Sequence, residues 1–181
     1  NISSARAHAI LNYQNYRPDE QYQSYYDYTE NNYAGYSQLS GKLGKVSYSA
    51  GLRIENTKVD GGFNTAGSPL INKNYTYLFP KANIDLPIDS VKTLSMSYSR
   101  NIVRPNYSDA SSITTFVNPF LEFARNTNLN PTLTNELAAN LQINQVSLRL
   151  SYYWYNNPVY YSFIFDDTKN LLTMFPDNFN K

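Results

Sequence analysis

The sequence lacks cysteine and has a single histidine, His8, among its 181 residues. Without cysteine there is no disulfide framework and no thiolate metal site. No run approaches the roughly 18 consecutive apolar residues of a transmembrane helix, so strands are the only membrane option. Residues 1–9 have no charged start followed by an apolar run. We therefore expect any export signal to have been removed or to lie upstream, and the chain to be an internal piece of a longer protein.

An excess of charge of one sign is also lacking, since 15 Lys and Arg stand against 14 Asp and Glu. The charges are scattered, so we expect no nucleic-acid partner. Catalytic patterns are equally scarce: no carboxylate precedes Asp19 near His8, and there is neither a GxSxG elbow nor a Gly-rich phosphate loop. Asp166 and Asp167 are adjacent carboxylates, but their setting favours a solvated turn over a metal or acid/base site. We expect no enzyme activity, metal or cofactor.

Aromatic residues are abundant, with 18 Tyr and 9 Phe at a mean hydropathy of only -0.53. Tyrosine suits strands, and its amphipathic ring suits a bilayer interface. A soluble carbohydrate-binding sandwich would be equally rich in tyrosine. The dense run of tyrosines over 13–28 could stack on a flat ligand such as a sugar, although an aromatic girdle with a loop of strand-forming residues explains most of it. Composition alone leaves both protein classes open.

Alternation of polarity predicts antiparallel strands. The clearest covers 46–56, a length of about eleven residues that a tilted strand needs to cross a bilayer. One of its faces is apolar, and the other carries Arg53 and Glu55. Further strands are predicted over 93–99, 137–143 and 146–154, weaker ones over 28–40 and 75–86, and a hairpin over 160–165 and 171–175.

The predicted connections alternate strictly between short and long. Short turns fall near 41–45, 87–91 and 144–145, and long connections near 57–74 and 104–132, where a short helix is predicted within 111–125. In outer-membrane barrels the short turns face the periplasm and the long loops face outward. The pattern therefore predicts an all-β fold of antiparallel up-and-down strands forming part of a large outer-membrane β-barrel, with about six to eight strands in residues 1–181.

Two positions raise specific questions in this barrel. Arg53 and Glu55 would point into the lumen, where they could touch substrate, meet a plug or simply pair with each other. Arg100 shares the apolar parity of Tyr98, only about 14 Å above Leu94 in an apolar band about 25 Å tall. We predict a β-bulge near Ser99 that turns Arg100 inward, with snorkelling to the head groups as the alternative.

Four runs carry a family resemblance in order along the chain. They are AGLRIENT from Ala50, YLFPKA from Tyr77, SYSRNIVRP from Ser97 and NPF from Asn118. These runs resemble the barrel of TonB-dependent outer-membrane receptors of the Bacteroidetes type, over roughly residues 25–157. The chain departs from the usual Gly-Asn-Pro, Leu, Pro-Glu pattern, because residues 128–136 read NLNPTLTNE.

The resemblance implies a barrel of about 22 strands around a plug that this chain does not contain. It implies transport of a nutrient or chelate in the bacterial outer membrane, with lipid, plug, TonB system and a small-molecule or glycan ligand as partners. Ligand-contacting loops are expected in 57–74 and 104–132. The alternative is a secreted, soluble all-β module that binds glycan or protein through tyrosine-rich loops. A third possibility is that the excised piece refolds as a small soluble barrel or oligomer.

Overall fold

The computed structural model describes residues 2–14, 21–63, 71–106, 108–110 and 114–179, with side chains described from residue 27 onward. Within these ranges the chain is all-β, as predicted. Eleven strands are formed there: β1 (Ile2–Gln14), β2 (Gln21–Leu43), β3 (Val46–Phe63), β4 (Ile71–Pro87), β5 (Lys92–Val103), β6 (Thr115–Asn118), β7 (Leu121–Phe123), β8 (Thr132–Ile143), β9 (Val146–Asn156), β10 (Val159–Asp166) and β11 (Leu171–Asn178).

Seven strands form the main sheet, in the order β1-β2-β3-β4-β5-β8-β9, and every neighbouring pair is antiparallel. The other four form a smaller sheet in the order β10-β11-β7-β6, in which β11 and β7 run parallel. The predicted hairpin near the end of the chain is present as β10 and β11. Polarity alternation did not reveal β1, β6 and β7.

The main sheet has one apolar face and one polar face, as its alternation predicts. Large side chains on the apolar face stay uncovered: Leu148 is 69% exposed and Leu150 is 75% exposed. No second layer of described residues lies over this face. Apolar-face residues in β3, β4, β5, β8 and β9 include Tyr48, Leu52, Ile54, Leu78, Ile84, Leu94, Met96, Leu137, Leu141, Leu148 and Leu150. We call the opposite side the polar face.

The predicted long connection over 57–74 is strand in its described residues, 57–63 and 71–74, and residues 64–70 lie outside the described ranges. The pairing of β3 with β4 continues through Lys58 with Asn74 and Asp60 with Asn72. The prediction was wrong because the side of the strand that is apolar up to Ile54 becomes polar from Asn56 onward. The alternation of polarity is inverted there, because the apolar Val59 and Ile71 lie on the polar face while Lys58 and Asp60 lie on the other side. The backbone ladder continues without interruption.

The helix predicted within 111–125 is also wrong for the part of it that is described, residues 114–125. A short hairpin of β6 and β7 stands there, and the backbone N–H of Phe120 donates to Asn118 Oδ1 at 2.8 Å in its turn. Asn118 precedes Pro119, and a residue before proline disfavours the helical conformation. In the described ranges no helix is long and apolar enough to cross a membrane.

The β-bulge predicted near Ser99 is absent. The ladder runs without a shift from Ser99, opposite Lys81 and Glu136, to Arg100, opposite Asn135. Arg100 therefore keeps the parity of Tyr98 and lies on the apolar face. A regular ladder is favoured here because each residue of β5 from Lys92 to Val103 has a partner on β8.

The predicted two-residue turn between β8 and β9 is present, with Asn144 at a φ of 49° and its N–H donating to Val91 O at 2.9 Å. Only glycine and asparagine adopt this left-handed region at little cost. We expect Asn144→Val to lower the free energy of unfolding by about 1–2 kcal/mol and Asn144→Gly to change it little. Urea titration in detergent measures both values. Equal losses in the two variants would contradict a conformational cause.

Candidate functional site

The polar face of β2 and β3 carries a buried hydrogen-bonded cluster. The sheet register places Thr57 of β3 opposite Asn32 of β2, and the Thr57 hydroxyl donates to Asn32 Oδ1 at 2.6 Å. Asn32 Nδ2 donates in turn to Glu30 Oε1 at 2.8 Å. Glu30 Oε2 accepts from the Tyr28 hydroxyl at 3.0 Å. Residues two apart on one strand share a face, so the pleat of β2 assembles this row of side chains.

Arg53 and Glu55 lie beside this cluster and pair with each other. Arg53 Nη1 is 3.2 Å from Glu55 Oε2, and its guanidinium lies 4.5 Å from the centre of the Phe79 ring. Glu55 is only 6% exposed. The Arg53 side chain is more exposed, at 44%, because its guanidinium lies over the Phe79 ring at the surface of the sheet.

Arg104 joins the cluster from outside the sheet. It follows the last residue of β5, and its Nε lies 3.1 Å from Glu30 Oε1. Its Nη2 forms an ion pair with Glu55 Oε1. Two arginines, Arg53 and Arg104, thus balance two glutamates, which is the condition under which buried charges are tolerated.

Both ends of the described part of the connection between β5 and β8 contact the polar face. Leu129 is 2% exposed, and its carbonyl oxygen accepts a hydrogen bond from Lys73 Nζ on β4. Nearby, Val59 and Ile71 form a small apolar cluster with Tyr28 and Tyr75 packed against it. We call the described residues of this connection, 104–106, 108–110 and 114–131, the inward segment.

A cavity of about 400 Å³ opens between the inward segment, the end of β9 and the start of β10. Its wall combines Arg104 and Asp109 with the rings of Tyr155, Tyr160 and Tyr161. Asp109 is held by Arg125 Nη1 at 2.9 Å, so its carboxylate has a fixed position. The arrangement can offer aromatic surfaces and a carboxylate together, but among the described residues no group of three potential ligands could hold a metal ion.

Comparison with known proteins agrees with this two-faced sheet. The outer membrane protein beta-barrel family matches the chain over residues 1–181. The chain belongs to this family. No curated protein matches it. Membership places the protein in the bacterial outer membrane, as predicted, and overturns the alternative of a secreted soluble module.

In a member of the outer membrane protein beta-barrel family, the two faces of the main sheet have different surroundings. The uncovered apolar face faces lipid, and the polar face faces the lumen. This orientation places the ion cluster, the inward segment and the cavity on the lumen side. It also places the turns at 44–45, 88–91 and 144–145 at the periplasmic end, because short turns face the periplasm.

The sequence identified two members of the lumen cluster and missed the rest. Arg53 and Glu55 lie together on the polar face, and a substrate contact for them stays a prediction. Glu30 and Asn32 of β2 lie on the same polar face. Counting every second residue along β2 could have predicted this from the sequence. The position of Arg104 could not be predicted in this way, because it lies after the end of β5 and the alternation of faces along a strand does not extend into a loop. The side chains of His8 and of the tyrosines before residue 27 are not among those that the structure describes.

Asp166 is the last residue of β10 and directly precedes the turn at 167–170, where the sequence predicts one over 166–170. Its Oδ1 accepts from the Thr168 hydroxyl at 2.6 Å and from the backbone N–H of Lys169 at 3.2 Å. The hydrogen bond from the Thr168 side chain, with those around Lys169, lowers the pKa of Asp166 to about 2. A lowered pKa means that the ionised carboxylate stabilises the turn.

We expect this turn stabilisation to be complete above the ordinary Asp pKa of 3.8 and to be lost as the pH falls through about 2. Asp166→Asn should remove the acid-dependent part. Amide hydrogen exchange of Thr168 and Lys169, measured as a function of pH, tests this directly. Protection that does not change between pH values above 3.8 and near 2 would contradict the assignment.

Proposed function

We propose that the chain is part of a TonB-dependent outer-membrane transporter that takes up a nutrient or a chelate. The observation that carries the proposal is the lumen side of the main sheet. There a salt-bridged inward segment is held at the outer end of the wall, and small polar residues line the wall nearer the short turns. This arrangement is expected where a wide lumen is partly filled.

The size of the lumen-facing side chains supports a wide barrel. Ser47 and Ser49 of β3 and Ser95, Ser97 and Ser99 of β5 lie on the polar face. A small barrel fills its interior with side chains, whereas serines leave space for water or for a plug. Few apolar side chains on this face are buried in the described ranges, chiefly Val59, Ile71, Phe79 and Ala138. The ordered motif runs add a resemblance to TonB-dependent receptors.

The proposed division of labour follows from exposure. Glu55 is enclosed by its arginine partners, so its proposed role is to hold the inward segment to the wall. Arg53 keeps almost half of its side-chain surface exposed, so it could contact a plug or a ligand. The cavity beside Asp109 and Tyr161 is the proposed place for ligand contact on this part of the wall. The proposed role is binding and passage, without catalysis.

The experiment is a genetic uptake test with the longest natural version of the protein. Cells lacking it, cells lacking the TonB energy-coupling protein and cells lacking both are grown on a panel of limiting nutrients and metal chelates. We expect one nutrient or chelate on which both single deletions cause the same defect and the double deletion adds nothing. A defect of the protein deletion that persists equally with and without TonB would contradict energy-coupled transport.

A further inference from the structure

Arg100 is a cation on the apolar face, and the transport proposal does not use its surroundings. Arg100 is on β5, eight residues above Lys92 at the periplasmic end. At about 3.3 Å per residue and a tilt of about 45°, it stands about 19 Å up an apolar band about 25 Å tall. Arg100 therefore lies near the external rim of the lipid-facing surface.

Aromatic residues mark the same level. Tyr98 lies two residues before Arg100 on the same face of β5, nearer the periplasmic end. Its ring stacks on Trp154 of β9 with centroids 5.9 Å apart. Tyr152 lies 5.7 Å from Trp154 by the same measure. Rings of this kind form the girdle at the membrane–water interface of outer-membrane barrels. The guanidinium is thus at the depth of lipid head groups.

A buried asparagine fixes the direction of Arg100. Asn135 of β8 is 0% exposed, and its Oδ1 accepts both Arg100 Nε at 2.8 Å and the Tyr98 hydroxyl at 3.0 Å. Asn135 Nδ2 donates to Asn156 Oδ1 at 3.1 Å, which sets the orientation of the amide. The terminal nitrogens of Arg100 remain available, because no carboxylate in the described part of the chain forms an ion pair with them.

We propose that Arg100, positioned by Asn135 and flanked by Tyr98 and Trp154, binds the phosphate of an anionic lipid head group in the outer leaflet. A guanidinium presents paired donors that match phosphate oxygens. The apolar face below it, with Met96 and Leu150, accommodates the acyl chains of the same lipid. An arginine without a counter-charge at the rim of the apolar band carries an electrostatic cost, and a bound phosphate lowers that cost. This inference requires only that the apolar face contacts lipid, and it does not depend on the proposed transport function.

The test measures which lipid occupies this part of the surface. The longest natural version of the protein, made free of cysteine, receives a fluorophore at Leu150→Cys and is reconstituted in vesicles. The fluorophore is quenched by lipids with brominated chains that carry either a phosphatidic acid or a phosphatidylcholine head group. We expect phosphatidic acid to occupy the site about fivefold more favourably, the gain typical of one basic residue near an anionic lipid.

A second reporter and three variants make the result specific. A fluorophore at Leu39→Cys, on the same face but on β2, should show no such preference. Arg100→Gln should abolish the preference at residue 150, Arg100→Lys should keep part of it, and Lys58→Gln, an exposed cation of the same face on β3, should keep all of it. If Arg100→Gln does not fold, the two reporters and Arg100→Lys still decide.

Three results would overturn the proposal. The first is equal quenching by both lipids at residue 150, and the second is a preference of the same size at residue 39. The third is complete loss of the preference on adding inorganic phosphate at the concentration of the lipid phosphate, which would mean that the site takes free phosphate instead of a lipid. Persistence of the preference with inorganic phosphate present supports the lipid head group.

Discussion

Arg104→Ala is expected to release the inward segment from the lumen wall. The substitution leaves Glu55 with one arginine partner and Glu30 with none of its ion pairs in the described ranges. Loss of one partner from a buried pair costs about 3–5 kcal/mol, and the 28% exposure of the Arg104 side chain reduces this to about 2 kcal/mol. Urea unfolding in detergent measures the loss of stability.

Accessibility measures the release itself. The sequence has no cysteine, so Leu129→Cys is a unique label in this chain, and residue 129 is 2% exposed. We expect this thiol to react slowly with a water-soluble maleimide when Arg104 is present and at least tenfold faster with Arg104→Ala, as a loss of about 2 kcal/mol permits.

Arg125→Ala is the matched control for release. It removes an ion pair of 2.9 Å with Asp109, but both partners belong to the inward segment and neither contacts the wall cluster. We expect labelling at residue 129 to stay close to that of the parent protein. If Arg125→Ala accelerated labelling as much as Arg104→Ala, the wall ion pairs would not be what holds the segment.

Ala50→Arg is expected to prevent assembly of the barrel in lipid. Ala50 lies on the apolar face between Leu39 and Ala82, four residues above Val46. This position is about 9 Å up the apolar band, close to its middle, where arginine costs about 2–4 kcal/mol. The folded fraction in vesicles, read from heat-dependent migration on a gel, should fall accordingly.

Ser49→Arg is the control for that substitution. It changes a small residue to arginine at almost the same depth, but Ser49 is on the polar face between Ser40 and Asn83. The folded fraction should stay near that of the parent protein, because a lumen wall accepts a charge. Equal loss of folding in both variants would show that size, and not contact with lipid, determines the outcome.

Alternation was informative where one face of a strand is apolar. The lower part of β3, from Val46 to Ile54, and the hairpin of β8 and β9 could be predicted because every second residue is apolar. Beyond Asn56 the strand rises past the apolar band and the alternation inverts, with Lys58 and Asp60 on the side that was apolar and Val59 on the lumen side. The hydrogen bonds to β4 continue there, but the positions of apolar residues no longer indicate which side of the strand faces lipid and which faces the lumen.

The candidate site shows a different limit. Arg53 and Glu55 could be placed together because residues two apart on a strand share a face. Arg104 reaches partners that are 49 and 74 positions earlier in the chain, and its contacts depend on how the inward segment folds back. The prediction for Arg100 was wrong for a different reason. Counting every second residue placed Arg100 correctly on the face of Tyr98, and the β-bulge was predicted only to keep a charge off the apolar face.

The lumen cluster and the lipid-facing arginine together describe how this wall handles charge. On the lumen side, Glu55 is buried with two arginine partners supplied by the chain itself. On the lipid side, Arg100 is held by a neutral amide and depends on its surroundings for a counter-charge. The difference follows from solvent, since water and side chains reach the lumen, whereas only lipid reaches the apolar face.

The central claim is that the two faces of the main sheet meet lipid and water, and a cysteine scan along β9 tests it most directly. Single cysteines at residues 146–153 are placed in the longest natural protein, reconstituted in vesicles. We predict a period of two: lipid-soluble quenchers reach probes at 146, 148, 150 and 152, and water-soluble maleimide reaches 147, 149, 151 and 153. Reaction of all eight positions with the water-soluble reagent at equal rates would contradict the account.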